Sequence, residues 1–116
     1  MSLKEIIVMI HNGEYERAIS SLEHEASDEN SPPLQKAEYC EWIAECHKRL
    51  EDHRSAGDWY LEAVKRILSQ QGDQKSKAKQ ALPDCEKALV SYKEGGDSAD
   101  VLVAARLRQY LLGLAG

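Results

Sequence analysis

The sequence predicts an all-α fold of antiparallel helix hairpins in a single domain. Three observations lead there. Apolar residues recur at helical spacing along most of the chain, and no segment sustains the alternation of a strand. Only three prolines occur in 116 residues, and most of the seven glycines fall between the periodic segments. The apolar share of 42% comes mainly from Leu, Ala, Ile and Val, which suits a packed core that needs neither metal nor disulfide.

Six helices follow in order. Leu3–His11 carries Leu3, Ile6, Ile7 and Ile10 on one stripe, and Gly13 suits a helix terminator. Glu14–Ala26 carries Tyr15, Ala18, Ile19 and Leu22, with Glu14 and Glu16 at the positive end of the helix dipole. The polar stretch Ser27–Pro33 is a loop. From it, Ser31 as N-cap and Pro32 at the first helical position open a third helix that ends near Leu50. Its inward residues are Ala37, Cys40, Ile43, Ala44, His47 and Leu50. A fourth helix runs from about Asp52 to Ser69, with Ala56, Tyr60, Ala63, Val64 and Ile67 inward. A fifth spans about Lys75 to Lys93. Pro83 lies inside it, and its missing N–H and steric clash predict a kink, or a break near Leu82. The sixth, Ser98 to Leu114, is apolar on most sides, so it is expected at the centre of the core or half-covered by a partner. Short corners make consecutive helices antiparallel neighbours, in pairs covering about 3–26, 32–69 and 75–114.

Charge narrows the function. The net charge is −5, and it is concentrated in residues 1–31, where Lys4 and Arg17 stand against seven acids. Phosphate recognition needs a basic surface, so nucleic acid is not an expected ligand. The lone basic cluster, Lys75, Lys77 and Lys79, reads as a solvated helix face. Cys40, Cys46 and Cys85 are odd in number and lack metal-site spacing, as expected of reduced, buried thiols in a cytoplasmic protein. The apolar run Ile6–Ile10 is followed by His11-Asn12-Gly13 and charges, which is not a signal-peptide pattern. No stretch approaches the roughly 20 apolar residues of a membrane span.

A pattern recurs across the pairs. In Ile43-Ala44-Glu45-Cys46-His47, a large and then a small residue precede His47 by four and three positions. After Leu50-Glu51-Asp52 come Ala56, Tyr60 and Ala63, small, aromatic and small again. Small residues let two helices approach, and the aromatic fills the space left on the same face. This stretch resembles the centre of a tetratricopeptide repeat, with Leu50-Glu51-Asp52 in the place of the family's Leu-Gly-Asp turn. A weaker copy, Asn12-Gly13-Glu14-Tyr15-Glu16-Arg17-Ala18-Ile19, places Ala18 in the role of Ala56, 38 residues earlier against the family's roughly 34. A third, fainter copy uses Leu89, Tyr92, Gly96-Asp97 and Val101. Departures are plain: Cys40 occupies the usual Trp site, His47 replaces an aromatic, and Val101 and Arg108 stand where small residues belong. The resemblance implies a short right-handed array of about three helix pairs.

Catalytic chemistry finds no support in the sequence. No histidine belongs to an HExxH or Glu-x-x-His motif, and Cys46 and His47, being adjacent on a helix, do not face each other. No phosphate loop, nucleophile elbow or dinucleotide fingerprint is present. The expectation is a non-enzyme without metal or cofactor. In the resembled family the first helix of each pair lines a concave groove that receives a peptide or helix. By position, that implies Leu3, Ile7, Ile10 and His11 from the first pair. It implies Glu38, Glu41, Trp42, Glu45, Lys48 and Arg49 from the second, and Glu86, Val90 and Lys93 from the third. Ile7, Ile10, Glu38, Glu41, Trp42, Glu45 and Arg49 are the candidate partner-binding residues, with Trp42 as anchor. A groove apolar at one end and acidic in the middle suits an amphipathic helix or an extended segment with basic residues. The expected function is a cytoplasmic adaptor, scaffold or chaperone-like protein-interaction module. Self-association as a homo-oligomeric structural unit is the first alternative, and a small metal protein or enzyme the second.

Overall fold

Six α-helices and no strands make up the computed structural model, which describes residues 1–116. They are α1 (Leu3–His11), α2 (Tyr15–Ala26), α3 (Pro33–Arg49), α4 (His53–Ser69), α5 (Gln74–Gly95) and α6 (Ser98–Ala115). Each packs on its neighbour in the chain, giving a stacked array. The molecule measures 39 × 34 × 19 Å, so its thin dimension is about two helix diameters.

Three of the five corners share one backbone solution. Gly13, Glu51 and Gly96 are left-handed, with φ of 80°, 60° and 73°. The N–H of the next residue donates to the carbonyl five positions back: Glu14 to Met9 at 3.0 Å, Asp52 to His47 at 2.9 Å, Asp97 to Tyr92 at 3.1 Å. The left-handed residue's own N–H donates three positions back, to Ile10, Lys48 and Lys93. This paired closure satisfies the carbonyls that a helix end leaves free, and it turns the chain straight into the next helix. The corners between α2 and α3 and between α4 and α5 lack it. The chain is therefore three hairpins, α1–α2, α3–α4 and α5–α6, joined by two irregular links.

Glycine fills two of these left-handed positions without penalty, but Glu51 does not. A residue with a Cβ loses about 1–2 kcal/mol in that conformation. Glu51→Gly is expected to raise stability in urea by about 1 kcal/mol, the relief being partly offset by the freer unfolded chain. An unchanged midpoint would show that the corner carries no strain.

Several expectations shift by a residue or more. α3 starts at Pro33, with Pro32 as its N-cap at ψ 152°. A residue before proline is excluded from helical angles, so Pro33 forces Pro32 to be extended and leaves Ser31 one place too early to cap. α5 runs unbroken from Gln74 to Gly95, so the break near Leu82 is absent; Pro83 is exposed, and its ring projects toward solvent. Leu50 is exposed rather than inward, because it caps α3 after the helical stripe has ended.

The core follows the stripes. Ile6, Met9 and Ile10 of α1 meet Ala18 and Leu22 of α2 and Tyr39, Ile43 and Cys46 of α3. A second cluster joins Ala37 and Cys40 to Ala63, Val64 and Ile67 of α4, to Ala78, Ala81 and Cys85 of α5, and to Leu111 of α6. In the third, Ala44, Ala56 and Tyr60 lie buried with Ala88, Tyr92 and Ala104. The small-aromatic pairing of the α3–α4 hairpin thus extends into the next hairpin. There the small residue of α6 is Ala104, fully buried, and not Val101, which is only half-buried. Val101 keeps the place of Ala56, five residues after the left-handed corner, and packs on the edge of this cluster while Ala104 is buried within it. Half-buried Trp59 touches all three clusters.

Candidate functional site

The chain's largest concavity, about 590 Å³, opens along α1, α3 and α5. One face of α3 dominates it. Leu34, Glu38, Glu41 and Glu45 recur at three- and four-residue steps, and Trp42 and Arg49 run beside them. Ile10 and His11, at the end of α1, close one side, and Gln80 and Lys87 of α5 close the other. Tyr60 and Ile67 of α4 show through at the floor. Trp42 is half-buried: part of its ring packs on the α1–α2–α3 cluster and part faces the groove.

The carboxylates are unequally committed. Glu45 accepts from Arg49 Nε at 3.1 Å and from the Tyr60 hydroxyl at 3.4 Å. Burial and the Glu45 charge push the Tyr60 hydroxyl well above its usual range, so it remains a donor. Glu38 and Glu41 take part in no ion pair. Behind Glu41 stands Asp84 of α5, 2% exposed, its Oδ2 buried without a donor. It shares a helical stripe with Gln80 and Lys87, both of which line the groove. Burial raises the Asp84 carboxyl to about 8, the Glu41 carboxyl within hydrogen-bond reach pushes the same way, and Lys87 opposes them. Lys87 itself lies over the Tyr60 ring, 5.9 Å from its centre, and joins no ion pair.

Of the residues singled out in the sequence, Ile10, Glu38, Glu41, Trp42, Glu45 and Arg49 converge on this groove, together with His11. Ile7 does not; it lies half-buried off the groove wall. Leu3 and Lys93 are likewise outside it, while Lys48, Glu86 and Val90 line a smaller adjoining hollow. Asp84, Lys87, Gln80 and the Tyr60 hydroxyl were not foreseen. Asp84 had a legible signal: it falls between Ala81 and Ala88 on the inward stripe of α5, where a charge is out of place.

The thiols offer no nucleophile. Burial pushes Cys40 to about 12 and Cys46 and Cys85 to about 11, so all three stay protonated near neutrality. They are unpaired and buried. No three His, Cys, Asp or Glu side chains converge in a metal-holding arrangement. No helix is long and apolar enough to cross a membrane. On α6, Leu102, Val103, Tyr110 and Leu112 stand exposed. No family model matches the chain, and no curated protein or solved structure matches it either.

Proposed function

We propose that the chain is a non-catalytic protein-interaction module that holds a segment of another protein, an amphipathic helix or an extended peptide, in the α1–α3–α5 groove. The observation that carries this reading is the make-up of that groove. An aromatic anchor, Trp42, and the apolar Ile10 and Leu34 stand beside Glu38 and Glu41, two carboxylates that take part in no ion pair. Such a surface offers an apolar stripe and a charged stripe side by side, which is what an amphipathic ligand presents. Three hairpins with one recurrent corner, and Ala44, Ala56 and Tyr60 packed together, support a tetratricopeptide-like array as the scaffold. The reading includes a cytoplasmic setting, which suits three reduced thiols.

The test is a capture experiment from the source cell with wild type and Trp42→Ala, compared quantitatively by mass spectrometry. Loss of an anchoring tryptophan costs about 2 kcal/mol or more of binding. A specific partner should therefore fall by at least about tenfold in the variant. A partner retained in full would remove the groove from the account.

A second reading, self-pairing, is favoured by the exposed apolar face of α6. Light scattering separates the two. A particle of 13.0 kDa at high concentration leaves the α6 face unpaired, and twice that mass supports pairing.

A further inference from the structure

We infer that α6 of a second copy of this chain seats in the α1–α3–α5 groove. The inference rests on the reading of that groove as a protein-binding site, and it names one occupant with the chemistry the site takes.

The exposed side of α6 carries it. α6 packs on α5, and no helix covers its other side. Ala99, Leu102, Val103, Arg106, Tyr110 and Gly113 recur there at three- and four-residue steps, and all six are exposed. They form one stripe, apolar at both ends with a cation between. Leu102, Val103 and Tyr110 keep 53%, 57% and 61% of their surface open. Large apolar side chains grouped in this way mark an interaction surface. Arg106 joins no ion pair, unlike Arg108, which reaches Glu86.

The groove presents the complement. On α3, Leu34, Glu38 and Trp42 follow one another at four-residue steps, with Glu41 beside them. On α6, Leu102, Arg106 and Tyr110 follow at the same steps. Both helices therefore set out apolar, charged and apolar side chains at intervals of about 6 Å. Laid along α3 in either direction, α6 brings Arg106 against Glu38 and Glu41, and its apolar ends against Leu34 and Trp42. One contact thus covers the exposed stripe and gives an unpaired cation and two unpaired carboxylates their counter-charges. Pairing of α6 with α6 about a two-fold axis centred on the stripe would instead set Arg106 against Arg106, which like charge disfavours. A foreign segment and α6 cannot share the groove, so binding of a foreign partner disperses the assembly.

The experiment is light scattering on the full chain from micromolar to millimolar concentration. The wild-type mass should rise above 13.0 kDa. Arg106→Glu sets like charges against Glu38 and Glu41, and Trp42→Ala removes the anchor; each should weaken assembly at least about tenfold. Arg106 is exposed and in no ion pair, so Arg106→Glu leaves the fold intact. Leu34→Lys, at a groove position 47% exposed, is a second groove variant that spares the core. An equimolar mixture of Arg106→Glu and Trp42→Ala chains holds one intact groove and one intact α6 per pair. It should regain assembly and stop at twice the monomer mass. A wild-type chain that stays at 13.0 kDa would overturn the inference. So would assembly that survives both Trp42→Ala and Leu34→Lys, or a mixture that stays monomeric. If Trp42→Ala loses a foreign partner while the wild-type chain never assembles, the groove stands and α6 is not its occupant.

Discussion

Tyr92→Ala is expected to cost about 3–5 kcal/mol, enough to unfold much of the population of a marginally stable domain. Tyr92 is 1% exposed and is the largest α5 side chain packed against Ala56 and Tyr60 of α4. Its ring rests against Gly57 so closely that a Cβ built there would meet ring carbon at 2.5 Å. Its hydroxyl donates to Asp58 Oδ1 at 2.5 Å. Truncation removes a large buried ring and opens a cavity, and it removes the hydrogen bond to Asp58, whose exposed carboxylate water can satisfy. Gly57 is the other half of the same fit. In an isolated helix Gly57→Ala would gain about 1 kcal/mol, but here the methyl overlaps a ring that has no room to retreat, and a net loss of about 1–3 kcal/mol is expected. The pair is separable by a double-mutant cycle in urea. With Tyr92→Leu in place the notch is no longer needed, and Gly57→Ala should turn from destabilising to neutral or better. Additive effects would mean that ring and notch do not define how the second and third hairpins dock.

Asp84→Asn is expected to make the chain more stable than wild type at about pH 8, by about 1–3 kcal/mol, and nearly equal to it at about pH 4. The direction follows from linkage. Asp84 titrates near 3.8 in an open chain and is pushed up to about 8 when folded, chiefly by burial. Over that interval the folded chain holds a proton that the unfolded chain has released. Stability is thus undiminished below the lower value, declines as pH rises, and levels off above the upper one. Asp52 and Asp73 are shifted the opposite way, chiefly by hydrogen bonds from Ser55 and Ser76, and they weaken the fold only as acid is added. Comparing wild type with Asp84→Asn cancels them. Thermal melts across that range report the difference directly, and parallel profiles would show that Asp84 ionises freely in the folded chain.

The helices were legible because each buries a stripe of ordinary apolar residues. Ala56, Tyr60, Ala63, Val64 and Ile67 of α4 are buried as their spacing demands. The α3 face that dominates the groove was legible too, since Glu38, Glu41, Glu45 and Trp42 cannot share a helix with Cys40, Ile43 and Ala44 without pointing elsewhere. What escaped depends on contacts between hairpins. Val101 and Ala104 both lie on the inward side of α6, and which of them is fully buried depends on Ala88 and Tyr92 across the interface. Asp84 was hidden by its neighbour. Pro83 drew attention to a break in α5, whereas the helix continues and carries the carboxyl inward opposite Glu41. Ile7 was misplaced for a related reason: α1 contributes only its last turn, Ile10 and His11, to the groove.

The most direct measurement is site-specific photo-cross-linking in the source cell. A benzophenone side chain is placed at Glu38 or Gln80 on the groove, and at Glu23 or Ser27 on the hollow between α2 and α4. The groove positions should capture one and the same protein through a segment bearing a basic residue, and the α2–α4 positions should not. Capture from Glu23 and Ser27, with none from Glu38 and Gln80, would contradict the account and move the binding face to the other side of the array.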